Sequence, residues 1–81
     1  MVISVQFHGT QRKLTRTSEI RVPVHEDCRV SDVFVHVKNR YPDLLLSQED
    51  VWVSVNNLMS TMNQILNPDD RITFLPHIGG G

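Results

Sequence analysis

Ile3, Val5 and Phe7 alternate with Val2, Ser4 and Gln6, and this period of two sets the first trio on one face of a β-strand. The stretch from His8 to Ser18 is polar, contains Gly9 and shows neither apolar period, so it reads as a connection. Ile20, Val22 and Val24 then alternate with Glu19, Arg21 and Pro23, which predicts a second strand paired with the first as a hairpin. Pro23 has no amide hydrogen and belongs near that strand's end or at an edge.

Val30 to Tyr41 satisfies two periods. Val33, Val35 and Val37 alternate like a strand, while Val30, Val33, Phe34, Val37 and Tyr41 recur at helical spacing. The helical register leaves Asp32, His36, Lys38, Asn39 and Arg40 solvated and explains Val35 worst; it predicts a helix. Asp27 or Ser31 is the expected cap, and Pro42 disfavours helical geometry at Tyr41 and stops the helix there. Its β-branched content makes the helix weak by propensity, so docking on a sheet must stabilise it. Val51, Val53 and Val55 predict a third strand ending at the turn pair Asn56-Asn57, and a short strand is expected around Ser60 to Met62. Asn67-Pro68-Asp69-Asp70 is a turn, and Arg71 to Leu75 is the last strand, with Ile72 and Phe74 on one face and Pro76 closing it. The sum is an α+β domain over residues 1–76, a mixed sheet of four to five strands with one main helix across one face. Its first and last strands are candidates for the middle, and a flexible tail is expected over 77–81.

Composition narrows the function classes. With 81 residues, 40% hydrophobic, the chain has room for one modest core. A net charge of -1 provides no broad basic face for a phosphate backbone, so nucleic-acid binding is not expected. Apolar runs such as Leu44-Leu45-Leu46 are far too short for a bilayer, and Gln6, His8, Gln11, Arg12 and Lys13 interrupt any leader-like segment. A cytoplasmic protein, monomeric when free, is expected. The single Cys28 allows no internal disulfide and suits a reducing compartment. His25 and Cys28 resemble half of a metal site, but four ligands are needed and the other histidines are distant, so no metal is expected. Cys28 reads as a semi-buried thiol rather than a nucleophile, and Asp69-Asp70 as a turn rather than an acid–base pair. Trp52 lies opposite the strand's valines; packing is its default role. Arg12, Lys13 and Arg16 either attract acidic partners or form a solvated loop.

The chain stops at Gly79-Gly80-Gly81, a run that loses the most entropy on ordering and has no side chain to bury. Such a backbone enters channels closed to any Cβ, and the six residues from Pro76 reach roughly 20 Å when extended. A terminal carboxylate is then deliverable into another protein's active site; a frayed terminus is the plainer alternative.

Val51 to Gly81 resembles the MoaD/ThiS family of small sulfur carriers, which have the ubiquitin-like β-grasp fold. The likeness rests on Val55-Asn56 at a strand end, a Leu-rich turn from Leu66 to Asp70 ahead of Ile72, and Phe74-Leu75-Pro76 followed by His77-Ile78-Gly79 and Gly80-Gly81. The hairpin and the helix stopping at Tyr41-Pro42 extend it loosely to the whole chain, and the length suits the MoaD-like branch. His77 stands where a second proline is common, Asp69 where a turn glycine is frequent, and Gly79 where another small residue is usual.

The resemblance implies that the Gly81 carboxylate is adenylated by an E1-like enzyme of the MoeB/ThiF type, which uses ATP, and converted to a thiocarboxylate. A synthase large subunit then accepts the sulfur. The carrier binds no cofactor and is not itself an enzyme. Gly79, Gly80 and Gly81 form the reactive tail, and Phe74, Leu75, Pro76, His77 and Ile78 the expected partner-binding segment. Molybdopterin synthesis is the favoured acceptor pathway, with thiazole synthesis, tRNA thiolation and cysteine synthesis open. Two other functions share these features: a protein modifier joined to target lysines through Gly81, and a plain β-grasp interaction domain.

Overall fold

The computed structural model describes residues 1–76; the expected tail, 77–81, lies outside the described residues. Five strands form one mixed sheet: β1 (Val2–Gln6), β2 (Glu19–Pro23), β3 (Trp52–Val55), β4 (Leu58–Ser60) and β5 (Arg71–Leu75), in the order β2-β1-β5-β3-β4. The first and last strands do lie side by side in the middle, parallel, with Val5 opposite Ile72. All other pairings are antiparallel. Pro23 ends the edge strand β2, where its missing amide hydrogen costs no ladder bond.

The main helix, α2 (Val30–Arg40), lays Val30, Val33, Phe34 and Val37 on the sheet, with Tyr41 packed at the core's margin and Val35 exposed. The helical period therefore prevails over the strand-like one, because only it supplies a continuous face to a sheet presenting Ile3, Val5, Val22, Val53, Val55, Ile72 and Phe74. Phe34 and Phe74 meet edge to face with ring centroids 5.3 Å apart.

The capping differs from expectation. Neither Asp27 nor Ser31 caps α2: Arg29 holds the cap position, and its amide donates to the Asp32 carboxylate at 2.9 Å. The amides of Val30 and Ser31 donate to the carbonyls of Gln64 and Met62, at 3.0 and 2.9 Å. An irregular loop thus satisfies amides that a local side chain usually takes, and no sequence pattern encodes such a long-range cap. The fourth strand occupies Leu58–Ser60 rather than Ser60 to Met62. Asn56 and Asn57 have φ of 54° and 69°, the left-handed pair a two-residue hairpin turn needs. The turn ends β3 early enough for pairing to resume at Leu58.

The polar connection contains a second helix, α1 (Thr10–Thr15), where the sequence predicted a loop. Its inward positions are Gln11 and Thr15, four residues apart but polar, so a hydrophobic period does not reveal them. Hydrogen bonds make their burial tolerable: Gln11 Nε2 donates to the Phe74 carbonyl at 2.8 Å, and Thr15 Oγ1 lies 2.9 Å from the Gln11 carbonyl it donates to.

At the opposite end of the sheet, Asn56 ties β3 to β5. Its Nδ2 donates to Asp70 Oδ1 and its Oδ1 accepts from the Arg71 amide, both at 2.9 Å. The other carboxylate oxygen of Asp70 accepts from the Asn67 amide at 2.8 Å, closing the turn that precedes β5. Asp69 within that turn has φ 66°, a left-handed geometry that Asp tolerates.

Three substitutions separate these contributions in urea unfolding. Phe74→Ala is expected to cost about 3–5 kcal/mol through the cavity it leaves, and Asn56→Ala about 1–3 kcal/mol through the partners it strands around Asp70. Leu45→Ser, at a side chain 90% exposed, should change stability by less than about 0.5 kcal/mol.

Candidate functional site

β5 runs parallel to β1 and opposes the start of β3, so its C-terminal end emerges where β1 ends and where α1 begins. This end of the sheet is where the chain turns into its glycine run. Leu75 is outward and 38% exposed, and Pro76 is exposed beside it. Phe74, expected among the partner-binding residues, is instead 2% exposed and faces α2. The alternation that turns Leu75 outward turns Phe74 inward, where it packs in the core beneath the tail root. His77, Ile78, Gly79, Gly80 and Gly81 lie outside the described residues.

Leu75 pairs directly with Trp52, which is 52% exposed on the same outer face. Met59, opposite Ser54 in the next strand, continues that face and is also exposed. The sequence's default of packing for Trp52 gives way to a surface role: the valines take the core side, and the indole is left on the outer one with Leu75 and Met59. Three neighbouring apolar groups beside the tail's origin are the composition that protein interfaces favour.

A groove of about 300 Å³ opens on the other side of the tail root, lined by Thr10, Gln11 and Leu14 of α1, by Leu44, Leu45 and Leu46, and by Pro76. Leu44 and Leu46 are buried and anchor the loop, and Leu45 between them stands out in solvent. Leu14 and Leu45 escaped the sequence reading because α1 was not recognised and the three leucines registered only as an apolar run. The spacing of Gln11, Leu14 and Thr15 at i, i+3 and i+4 was the available signal.

Cys28 is 1% exposed, more deeply buried than the semi-buried thiol expected. Burial, reinforced by the nearby Asp32 carboxylate, raises its pKa above the ordinary thiol value. His25 is exposed, with its Nδ1 2.7 Å from the Glu26 carbonyl. Among the described residues, no three His, Cys, Asp or Glu side chains are arranged to hold a metal, and no helix is long and apolar enough to cross a membrane.

The architecture defines a small ubiquitin-like β-grasp domain whose last strand feeds a terminal glycine run. The chain belongs to the ThiS family, whose sequence model matches residues 5–81, and so to the class of small ubiquitin-like sulfur carriers. It is 24% identical over 80 residues to the molybdopterin synthase sulfur carrier subunit of Mycobacterium tuberculosis, an alignment covering 98% of this chain and 96% of that one. SAMP1, the small archaeal modifier protein 1 of Haloferax volcanii, superimposes with a TM-score of 0.81 at 15% identity over the whole of both chains. The putative molybdopterin converting factor subunit 1 of Pyrococcus furiosus gives 0.80 at 20% identity, covering 95% of this chain and 98% of that one.

The folded state holds the Cys28 proton more tightly than the unfolded chain, so this contribution to stability is complete below the ordinary thiol range and is lost as pH rises through the folded value. Iodoacetamide labelling followed by mass spectrometry should show Cys28 reacting slowly in the native protein at pH 8 and rapidly in urea.

Proposed function

We propose that this chain carries sulfur as a thiocarboxylate on Gly81, made by an E1-like enzyme and spent by a synthase. A carboxylate does not release oxide, so it must be activated first. An oxygen of the Gly81 carboxylate attacks the α-phosphorus of ATP, pyrophosphate leaves, and an acyl-adenylate results. A sulfide donor then displaces AMP at the acyl carbon to give the thiocarboxylate directly; a protein persulfide gives an acyl disulfide instead, which a thiol reduces, leaving the thiocarboxylate and a new disulfide. The chain's own part is to bind, to present the acyl carbon and to hold the rest of itself clear; the reaction is catalysed by the partner, which also binds the ATP. The observation that carries this reading is the direction of β5. Its central position gives the tail a rigid base, while Leu75, Trp52 and Met59 supply apolar anchors beside it. Leu75, Pro76, His77 and Ile78 are the proposed contact segment. Gly79, Gly80 and Gly81 are the part that enters the partner's channel.

The proposed acceptor is the large subunit of molybdopterin synthase, a choice supported by the Mycobacterium tuberculosis carrier subunit and by the length of the chain. The proposed setting is the cytoplasm. Conjugation to lysines is the second reading, favoured by the close superposition on SAMP1. The two share an acyl-adenylate and diverge at the nucleophile, sulfur in one case and an ε-amine in the other.

Incubation with a MoeB/ThiF-type enzyme, ATP and sulfide should shift the intact mass by one oxygen-to-sulfur exchange, confined to the C-terminal peptide, and deletion of Gly81 should abolish it. An unchanged mass with several such enzymes overturns the carrier reading. Isopeptide adducts in cell extract that depend on Gly81 select the modifier instead.

A further inference from the structure

No carboxylate precedes Glu19 in the sequence, and Arg12, Lys13 and Arg16 all fall within that acid-free segment. The helix found in place of the expected loop gives these cations a common direction. Gln11 and Thr15 point into the body, Leu14 flanks them on the side of the leucine groove, and Arg12 and Lys13 occupy the remaining exposed face, with Arg16 following as the exposed C-cap. With Gly9, Thr17 and Ser18 they surround an open concavity of about 490 Å³. The only ion pair among the described residues is Arg21 with Asp69 at 3.8 Å, so the cations of α1 are not neutralised by the fold. Complementing the dipole of a six-residue helix accounts for little of this charge, since that effect is worth about 0.3–1 kcal/mol per exposed group and fades within a turn.

Position gives the cluster its meaning. α1 is fastened to the root of the tail by the 2.8 Å bond from Gln11 Nε2 to the Phe74 carbonyl, two residues ahead of Pro76. A molecule that takes up the tail therefore faces the cationic side of α1 and, on the helix's other flank, the groove where Leu45 stands 90% exposed and Pro76 forms part of the wall. The chain as a whole is at -1, so this end is positive within an acidic molecule.

We infer that α1 and the Leu44–Leu46 loop form a two-part docking site for an acidic partner protein. Carboxylates of that partner face Arg12, Lys13 and Arg16, and an aliphatic side chain enters the groove between Leu14, Leu45 and Pro76. The occupant is committed by charge complementarity: an apolar groove alone accepts many proteins, but one bordered by unneutralised cations selects a surface that mixes carboxylates with aliphatic groups. Identifying that partner with the activating enzyme rests on the carrier reading. The surface is distinct from the Trp52–Leu75–Met59 face of the sheet, so the partner straddles the tail root rather than approaching from one side.

The test titrates the intact chain against a MoeB/ThiF-type activating enzyme by calorimetry without ATP, and separately measures ATP–pyrophosphate exchange as a function of carrier concentration. R12E/R16E and L45D are compared with R21E/R71E, which removes the same charge elsewhere; thermal melts check that each variant folds. R12E/R16E should weaken binding and raise KM about tenfold or more while kcat stays unchanged, and should flatten the salt dependence of KM. L45D should raise KM, and R21E/R71E should change neither KM nor its salt dependence. Failure of the wild type to bind at low salt, or equal binding by R12E/R16E and R21E/R71E, overturns the docking site. Loss of transfer-RNA binding in R12E/R16E with enzyme kinetics intact overturns it too, in favour of a nucleic-acid role for the cluster. Binding that shows the expected variant effects without any exchange supports the site and counts against the carrier reading alone.

Discussion

The parallel pairing of β1 with β5 is the constraint on which the molecule depends. It sets the first and last strands side by side at the centre of the sheet, so the strand that leads to the glycines has a neighbour on each side. A force or a binding event acting on the tail is transmitted to the core strand, not to a frayed edge. Ile72 and Phe74 root that strand under α2, and the Asn56–Asp70 pair fixes its start against β3. Parallel pairing also fixes direction: β5 must leave the sheet where β1 ends, and so must emerge beside α1.

Division of labour along β5 follows from its pleat. Successive side chains alternate between faces, so Phe74 and Leu75, adjacent in sequence, do opposite things. One fills the core and meets Phe34 edge to face; the other joins Trp52 and Met59 on the outer surface. The exposed residues at the tail root are thereby held by residues buried in the core. Cys28 is likewise on the inside: burial and the nearby Asp32 carboxylate raise its pKa and disfavour the thiolate.

Much of the fold was legible because strands and the main helix announce themselves through apolar period. The valines of β3, the Ile72 and Phe74 pair and the Val30, Val33, Phe34, Val37 stripe all occupy the faces their spacing indicated. The candidate site was legible in part, since Leu75 and Pro76 are exposed at the tail root, while Phe74, counted with the partner-binding segment, is buried on the core face that its alternation with Leu75 indicated. Elements built on polar contacts were not readable. α1 buries Gln11 and Thr15, the cap of α2 comes from carbonyls more than thirty residues away, and the fourth strand is set by a turn whose second left-handed residue is an asparagine. For α1 and the cap of α2 the deciding hydrogen bonds have partners remote in sequence, Phe74 for Gln11 and the carbonyls of Gln64 and Met62 for the cap, which leaves no local periodicity to detect.

The amino-acid order by itself determined which segments are strands and helix, the family likeness carried by Val55-Asn56 and by Phe74-Leu75-Pro76, and the presence of a terminal glycine run, because periodicity, turn chemistry and backbone freedom are local properties. Only the tertiary structure decided that Arg12, Lys13, Arg16, Leu14 and Leu45 border the root of that run. Proximity between residues some thirty to sixty positions from Pro76 arises from how the sheet is ordered and how the chain crosses it. No spacing along a one-dimensional sequence records that.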